Sequence, residues 1–163
     1  MRSRPLIAAL LMTVALASCS SKKTVETTQG TTTVETNALH NTVKFSNKQG
    51  TAIIGKGAVD AKELGLPLYP GAIAAQTGGM AASTKEGTSR VVSLTTKDSF
   101  DQVYQWYKKQ LPAGSEQTHM EVSGGSIASF LIGKPSETDE RSVLIQQAKD
   151  TTTILLTHTS KST

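Results

Sequence analysis

The sequence has a single cysteine, a single tryptophan and few aromatic residues, and each shortage excludes a class of protein. Phe, Trp and Tyr make up 4% of the 163 residues, which is too few for the aromatic platforms on which bases or sugars stack. Because Cys19 is the only cysteine, the chain has no internal disulfide. No apolar run reaches the roughly 20 residues that a membrane-spanning helix needs.

Charge is also scarce. Charged residues are 18% of the chain and the net charge is +4, so no basic footprint for a nucleic acid is present. Residues Gly50 to Lys56 fit the first seven places of a phosphate-binding loop, but Gly57 stands where a magnesium-binding hydroxyl is required. We therefore predict neither a nucleic-acid nor a nucleotide partner.

The first 18 residues have the organisation of a secretory leader. Arg2 and Arg4 are followed by an apolar run from Pro5 to Ala17, which is too short for a permanent span. Removing residues 1–18 takes both arginines away and lowers the net charge from +4 to +2. We predict a cleaved signal peptide over residues 1–18.

The residues around the cysteine resemble a bacterial lipoprotein motif. Leu16-Ala17-Ser18-Cys19 is similar to the lipobox, and the resemblance implies a diacylglycerol thioether on Cys19, an N-acyl chain on its amine and a membrane anchor. No other cofactor is expected. In Gram-negative bacteria, Ser20 after the cysteine favours the outer membrane. The alternative is an ordinary signal peptide with a chance cysteine.

Residues 19–41 are rich in Thr, Ser, Lys and Asn, and this composition is typical of a flexible tether. The four residues from Thr24 to Thr27 recur from Thr33 to Thr36. Because Thr and Val are β-branched, the stretch also has the chemistry to add strands to a sheet. The tether is our interpretation of residues 19–41.

We predict that residues 42–163 form one domain. Two apolar runs predict an added hairpin over 42–57, residues 78–83 predict a mobile glycine-rich loop, and residues 88–96 predict a strand. A helix follows, with Asp98 as its cap and apolar residues at helical spacing, namely Phe100, Val103, Tyr104, Tyr107 and Leu111. Four short alternating runs then predict antiparallel strands. The expected fold is α+β, a small antiparallel sheet of order β-β-α-β-β-β-β with one amphipathic helix packed on one face.

Two aromatic residues are candidates for contact with a partner. Trp106 lies beside the apolar face of the helix, where it either closes the core or meets a partner. Tyr69 belongs to the segment Pro67-Leu68-Tyr69-Pro70-Gly71-Ala72. From Leu66 to Leu111, this segment with the following strand and helix resembles uncharacterised bacterial envelope proteins, a resemblance that implies no activity.

The histidines do not form a catalytic or metal-binding pattern. His40 lies in the predicted tether, while His119 and His158 fall in predicted strands far apart in sequence. No pair has the spacing of zinc ligands, and no nucleophile elbow is present. We predict no catalytic residue and no metal.

Together these features predict a lipid-anchored envelope protein with a non-catalytic binding or accessory domain. The alternatives are a small envelope hydrolase that uses a histidine, and a purely structural or stress-related surface lipoprotein.

Overall fold

The structure, a computed structural model, describes residues 20–27, 30–122, 124–133 and 138–162. Cys19 and the leader lie outside the described residues. The strands are β1 (Ser20–Thr27), β2 (Gly30–Asn37), β3 (Thr42–Asn47), β4 (Gly50–Gly55), β5 (Ile73–Thr84), β6 (Gly87–Thr96), β7 (Glu116–Val122), β8 (Gly125–Ile132), β9 (Asp139–Ala148) and β10 (Thr151–Lys161). The helix α1 spans Phe100–Gln110, and a short 3-10 helix spans Ala61–Leu64.

All ten strands belong to one antiparallel sheet of order β1-β2-β3-β4-β5-β6-β10-β9-β8-β7. The first six strands follow each other as a meander. The chain then leaves the sheet for α1 and re-enters at the far edge, so that the last strand, β10, lies between β6 and β9. In this central register Ile154 pairs with Leu94 on one side and with Ile145 on the other.

The predicted fold class is therefore wrong. The molecule is a β-rich, ten-stranded antiparallel sheet with a single α-helix, and not a small α+β domain of order β-β-α-β-β-β-β. The difference has two sources: residues 20–27 and 30–37 join the sheet, and β10 pairs with β6, a strand more than fifty residues earlier in the chain. Pairings between such distant segments leave no local pattern in the sequence.

The tether interpretation also fails for residues 20–27 and 30–37. They form β1 and β2, which pair along all eight residues of β1, from Ser20 opposite Asn37 to Thr27 opposite Gly30. The alternation of Thr and Val suits a pleated strand, and a salt bridge of 2.9 Å joins Lys22 to Glu35 across the pair. The β-branched residues favour strands in this stretch, although it contains few apolar residues.

The glycine-rich segment 78–83 is part of strand β5, so the predicted mobile loop is wrong as well. The pairing of β5 with β6 shifts register between Ala74 and Gly79. Gly78 sits at this bulge with φ of 68°, and a Cβ there would come within 2.5 Å of the Gly55 backbone. Only glycine allows β5 to bend and still remain beside β4.

Helix α1 forms where the apolar spacing predicts it, but its cap is Ser99 and not Asp98. Ser99 and Gln102 form a reciprocal capping box, which satisfies two backbone amides at the start of the helix. The Asp98 carboxylate instead accepts a hydrogen bond of 2.8 Å from the Tyr69 hydroxyl. The buried residues of the helix are Phe100, Val103, Tyr104 and Tyr107.

The helix covers only one end of one face of the sheet. Among the described residues, the strand residues of the buried hydrophobic core come from β6, β8, β9 and β10, namely Val92, Leu94, Ala128, Phe130, Val143, Ile145, Ile154 and Leu156. Strands β1 to β5 contribute none. Val59, which precedes the 3-10 helix, lies against Gly79 of β5. Strands β1 to β4 are a single layer within the described chain, although stable domains normally need two.

We predict that Ile154→Ala lowers the free energy of unfolding by about 2–5 kcal/mol, because Ile154 is 0% exposed and its removal leaves a cavity under α1. The matched control is Ile53→Ala, which truncates an isoleucine on the same face of the sheet beyond the reach of the helix. Its cost should be no more than about half as large. Urea denaturation measures both, and equal losses would contradict the limited reach of the core.

Candidate docking surface

The face of the sheet that points away from α1 has no layer over it in the described chain. Strand alternation and register place on it the large hydrophobic side chains that the strands expose, namely Val25, Phe45, Ile54, Ile73, Met80 and Met120. We call the surface formed by these side chains and their same-face neighbours the open face. Ile73 is 69% exposed and Met120 is 52% exposed.

The apolar side chains of the open face lie directly opposite one another on neighbouring strands. Met80 on β5 lies opposite Ile54 on β4 and Val91 on β6, and Ile54 lies opposite Val43 on β3. Directly opposed side chains in an antiparallel pair touch each other. The result is a continuous apolar row across four strands, at the centre of the ten-stranded sheet.

Charge is almost absent from this surface. Among the described strand residues, the charged ones that register places on the open face are Lys23, Glu140 and Lys161. Lys23 is on the edge strand β1, and the other two lie within two residues of a strand end. The remaining polar side chains are mostly threonine and serine, whose hydroxyls cost less to dehydrate than a charge.

The opposite face carries the charges. One row of paired residues crosses nine strands on that side: Lys22, Glu35, Lys44, Ile53, Ala81, Arg90, His158, Arg141 and Ile132. Lys22 and Lys44 both approach Glu35, at 2.9 and 3.8 Å. Hydrogen bonding and attraction from Lys22, with a weaker contribution from Lys44, lower the pKa of the Glu35 carboxyl. Strands β1, β2 and β3 thus each place a charged residue of this row on one face and a valine on the open face.

Such a surface has the chemistry of one layer of a β-sandwich. Two sheets pack about 10 Å apart through uncharged inner faces, while charged residues alternate outward. A contiguous exposed apolar surface of this kind marks an interaction site in a soluble domain. The open face is suited to bind another apolar surface, and it carries no group that could perform acid or base catalysis at its centre.

The structure brings the two predicted contact residues, Tyr69 and Trp106, together on the other side of the molecule. Their ring centroids are 5.3 Å apart in an edge-to-face arrangement, and Trp106 makes a second such contact with Tyr107 at 4.8 Å. Both residues are half-buried and pack against the core. Their contact with a partner stays a prediction.

The histidines are separated and each is engaged by neighbouring side chains. His119 stacks on Tyr104 with centroids 4.1 Å apart, and its Nε2 lies 4.0 Å from Glu121. His158 on β10 lies 3.1 Å from Asp139 through Nε2. Three strand intervals, about 14 Å, separate β7 from β10, and the register offsets the two histidines by a further four residues, about 13 Å along the strand. None of the hydrogen bonds to either imidazole within the described ranges comes from a serine or threonine hydroxyl.

A cluster of charged side chains surrounds His158. Arg90 and Arg141 flank it as cross-strand partners. Arg141 Nη2 donates a hydrogen bond of 3.2 Å to Asp139 Oδ2 and forms a salt bridge with Oδ1 at 3.1 Å. The Arg141 guanidinium also lies against Gly65, at the end of the 3-10 helix. Asp139 thus pairs with both Arg141 and His158, and the contacts of Arg141 with Gly65 and of Arg90 with Glu63 join the 3-10 helix to the sheet.

No metal site appears among the residues that the structure describes, since no group of three or more His, Cys, Asp or Glu side chains is arranged to hold an ion there. No helix in the described ranges is long and apolar enough to cross a membrane. Cys19, the predicted lipid attachment site, lies outside those ranges. Neither a protein-family model nor a curated protein nor a solved structure matches this chain.

Sequence reasoning missed the open face. The signal was present in the alternation of apolar and polar residues within short segments, such as Val43 and Phe45 on either side of Lys44. It became visible only with the register, because each strand contributes only a few apolar residues to a surface that spans the whole sheet.

A testable consequence concerns the Tyr69 hydroxyl. Burial, together with its hydrogen bond to Asp98 and the charge of that carboxylate, raises the pKa of Tyr69 to about 12. An unfolded tyrosine ionises near pH 10. The folded state therefore favours the protonated phenol, and this stabilisation is complete below pH 10 and is lost as the pH rises through 12.

We predict that Tyr69→Phe loses less stability than the parent protein when the pH rises from about 9 to about 11.5. The comparison of urea midpoints at the two pH values isolates the ionisation from the lost hydrogen bond, which affects both measurements. An equal alkaline loss in the two proteins would show that Tyr69 does not ionise abnormally.

Proposed function

We propose that this protein is a lipid-anchored bacterial envelope protein whose sheet is a non-catalytic binding module that uses the open face. The observation that carries the binding role is the open face itself, an apolar surface without central charge that crosses the whole sheet. The anchoring role is carried by the leader and by the four residues that end at Cys19.

One structural feature bears on the anchoring proposal. The first residue of β1 is Ser20, so a lipid on Cys19 would be attached directly to the edge of the sheet. Two or three acyl chains, at about 0.8 kcal/mol for each buried methylene, hold a protein at a bilayer permanently. The edge strand would then stay at the membrane surface, without a long flexible spacer.

The binding role is favoured over catalysis by the chemistry of the surfaces. The open face offers hydrophobic contact and hydroxyls, whereas His119 and His158 are separate and engaged with Tyr104 and Asp139 respectively. For a Gram-negative host, Ser20 after the cysteine favours the outer membrane as the site of attachment.

Lipid attachment is tested by growing cells with a clickable palmitate analogue. The parent protein should incorporate the label, and Cys19→Ala should lose it completely, because Cys19 is the only thiol of the chain. Ser20→Ala is the matched control and should keep the label, since it alters the adjacent residue and leaves the thiol. A label that persists in Cys19→Ala, or a secreted parent protein with the mass of an unmodified chain, would refute the anchor.

A further inference from the structure

We propose that the open face is covered by the open face of a second copy of this chain, so that two sheets pack face to face in a symmetric sandwich. This inference rests on the proposed function in so far as it names the partner of the same surface. Three properties of the open face favour this partner: its area, its charge distribution and the position of its apolar row in the sheet.

The area suffices for a stable dimer. Ten strands of six to twelve residues, at about 4.8 Å between strands and about 3.4 Å per residue, give a face of roughly 1,200 Å² on each copy. Two such faces bury roughly 2,400 Å², above the approximately 1,600 Å² of a standard specific interface. Even if the twist of the sheets limits contact to half of each face, roughly 1,200 Å² remains, at the lower end of the specific range.

The charge distribution permits two identical surfaces to meet. A symmetric interface brings each patch against its own copy, so any strong charge at its centre would face itself. On the open face the row Val43, Ile54, Met80 and Val91 is entirely apolar, and Lys23, Glu140 and Lys161 are confined to the borders. The cations Lys22, Lys44, Arg90 and Arg141 all lie on the outward face of such a dimer.

The same distribution disfavours a lipid bilayer as the occupant. Interfacial elements that lie on a membrane combine apolar side chains with lysines and arginines that reach anionic headgroups on the same side. Here the cations point away from the apolar side chains, and a bilayer would have to dehydrate many threonine and serine hydroxyls without supplying partners for them. A second copy supplies matching hydroxyls at the same depth.

The position of the apolar row predicts where the two copies are closest. Met80 is on β5 and its partner Val91 is on β6, the two middle strands of the sheet. A two-fold axis that gives the greatest overlap passes near the centre of the face. The two Met80 side chains should therefore approach each other, whereas those of the edge strands β1 and β7 need not.

The experiment introduces one cysteine into the full chain and treats intact cells with a permeable bis-maleimide. Met80→Cys should give a homodimer of twice the monomer mass, because Met80 is exposed at the centre of the open face. Ala81→Cys is the matched control: the next residue of the same strand, on the charged face. It should give at least tenfold less dimer.

A second pair of variants tests the apolar row in the Met80→Cys background. Ile54→Glu places a charge beside Met80, directly across the strand pair, and should reduce the crosslinked dimer at least tenfold. Ile53→Glu changes the neighbouring residue on the charged face, opposite Lys44, and should leave the yield unchanged. Resistance of each variant to limited proteolysis confirms that the sheet is folded.

Palmitate labelling of the parent chain and crosslinking of Met80→Cys together show which of the two proposals fails, the anchor or the second copy. If Cys19 is lipidated, the parent has no thiol and gives no crosslink, whatever its oligomeric state. A parent that is labelled by palmitate, with no dimer from Met80→Cys, would overturn the second copy as occupant and leave the anchor standing. Crosslinks to a different protein, or protection of residue 80 by liposomes in the absence of a dimer, would also overturn it in favour of those occupants.

Discussion

The structure depends on one physical constraint: a β-sheet has two faces, and here a single helix of eleven residues covers only part of one. Burial of apolar surface is the main favourable contribution to folding, so strands without a second layer rely on hydrogen bonding and cross-strand contacts alone. Strands β1 to β4 are in this position within the described chain. Their large apolar side chains except Ile53 lie on the open face, and their charged side chains except Lys23 lie on the other. This is the pattern of strands that are covered on one side.

The charged face shows how the exposed strands are held in register. Lys22, Glu35 and Lys44 lie in consecutive strands, and a one-residue slip would move each of them to the apolar side. Exposed ion pairs stabilise a sheet only weakly, but the cost of placing a charge among Ile54, Met80 and Phe45 is much larger. The charges therefore specify the register more than they stabilise it.

The sequence predicts those features that are encoded over short distances. Helix α1 was predictable because Phe100, Val103 and Tyr107 recur at helical spacing. The pairing of β10 with β6 was not, because Leu156 would suit several neighbours equally well and only the assembled core selects Val92. The tether interpretation was wrong for residues 20–27 and 30–37 because a segment with few apolar residues looks too polar to fold alone, whereas here these residues pair with neighbouring strands.

Because Ser20 lies in a strand and not in a tether, lipid attachment at Cys19 would limit how the sheet presents its faces to a partner. A flexible tether would let the domain rotate and present any surface to its surroundings. With Ser20 already in the edge strand, an anchor at Cys19 would instead fix one corner of the sheet at the bilayer and limit its orientation. Two chains attached to the same membrane would also be confined to a thin layer, which raises their effective concentration. Confinement of this kind favours the association of identical faces, so the anchor and the open face would act together.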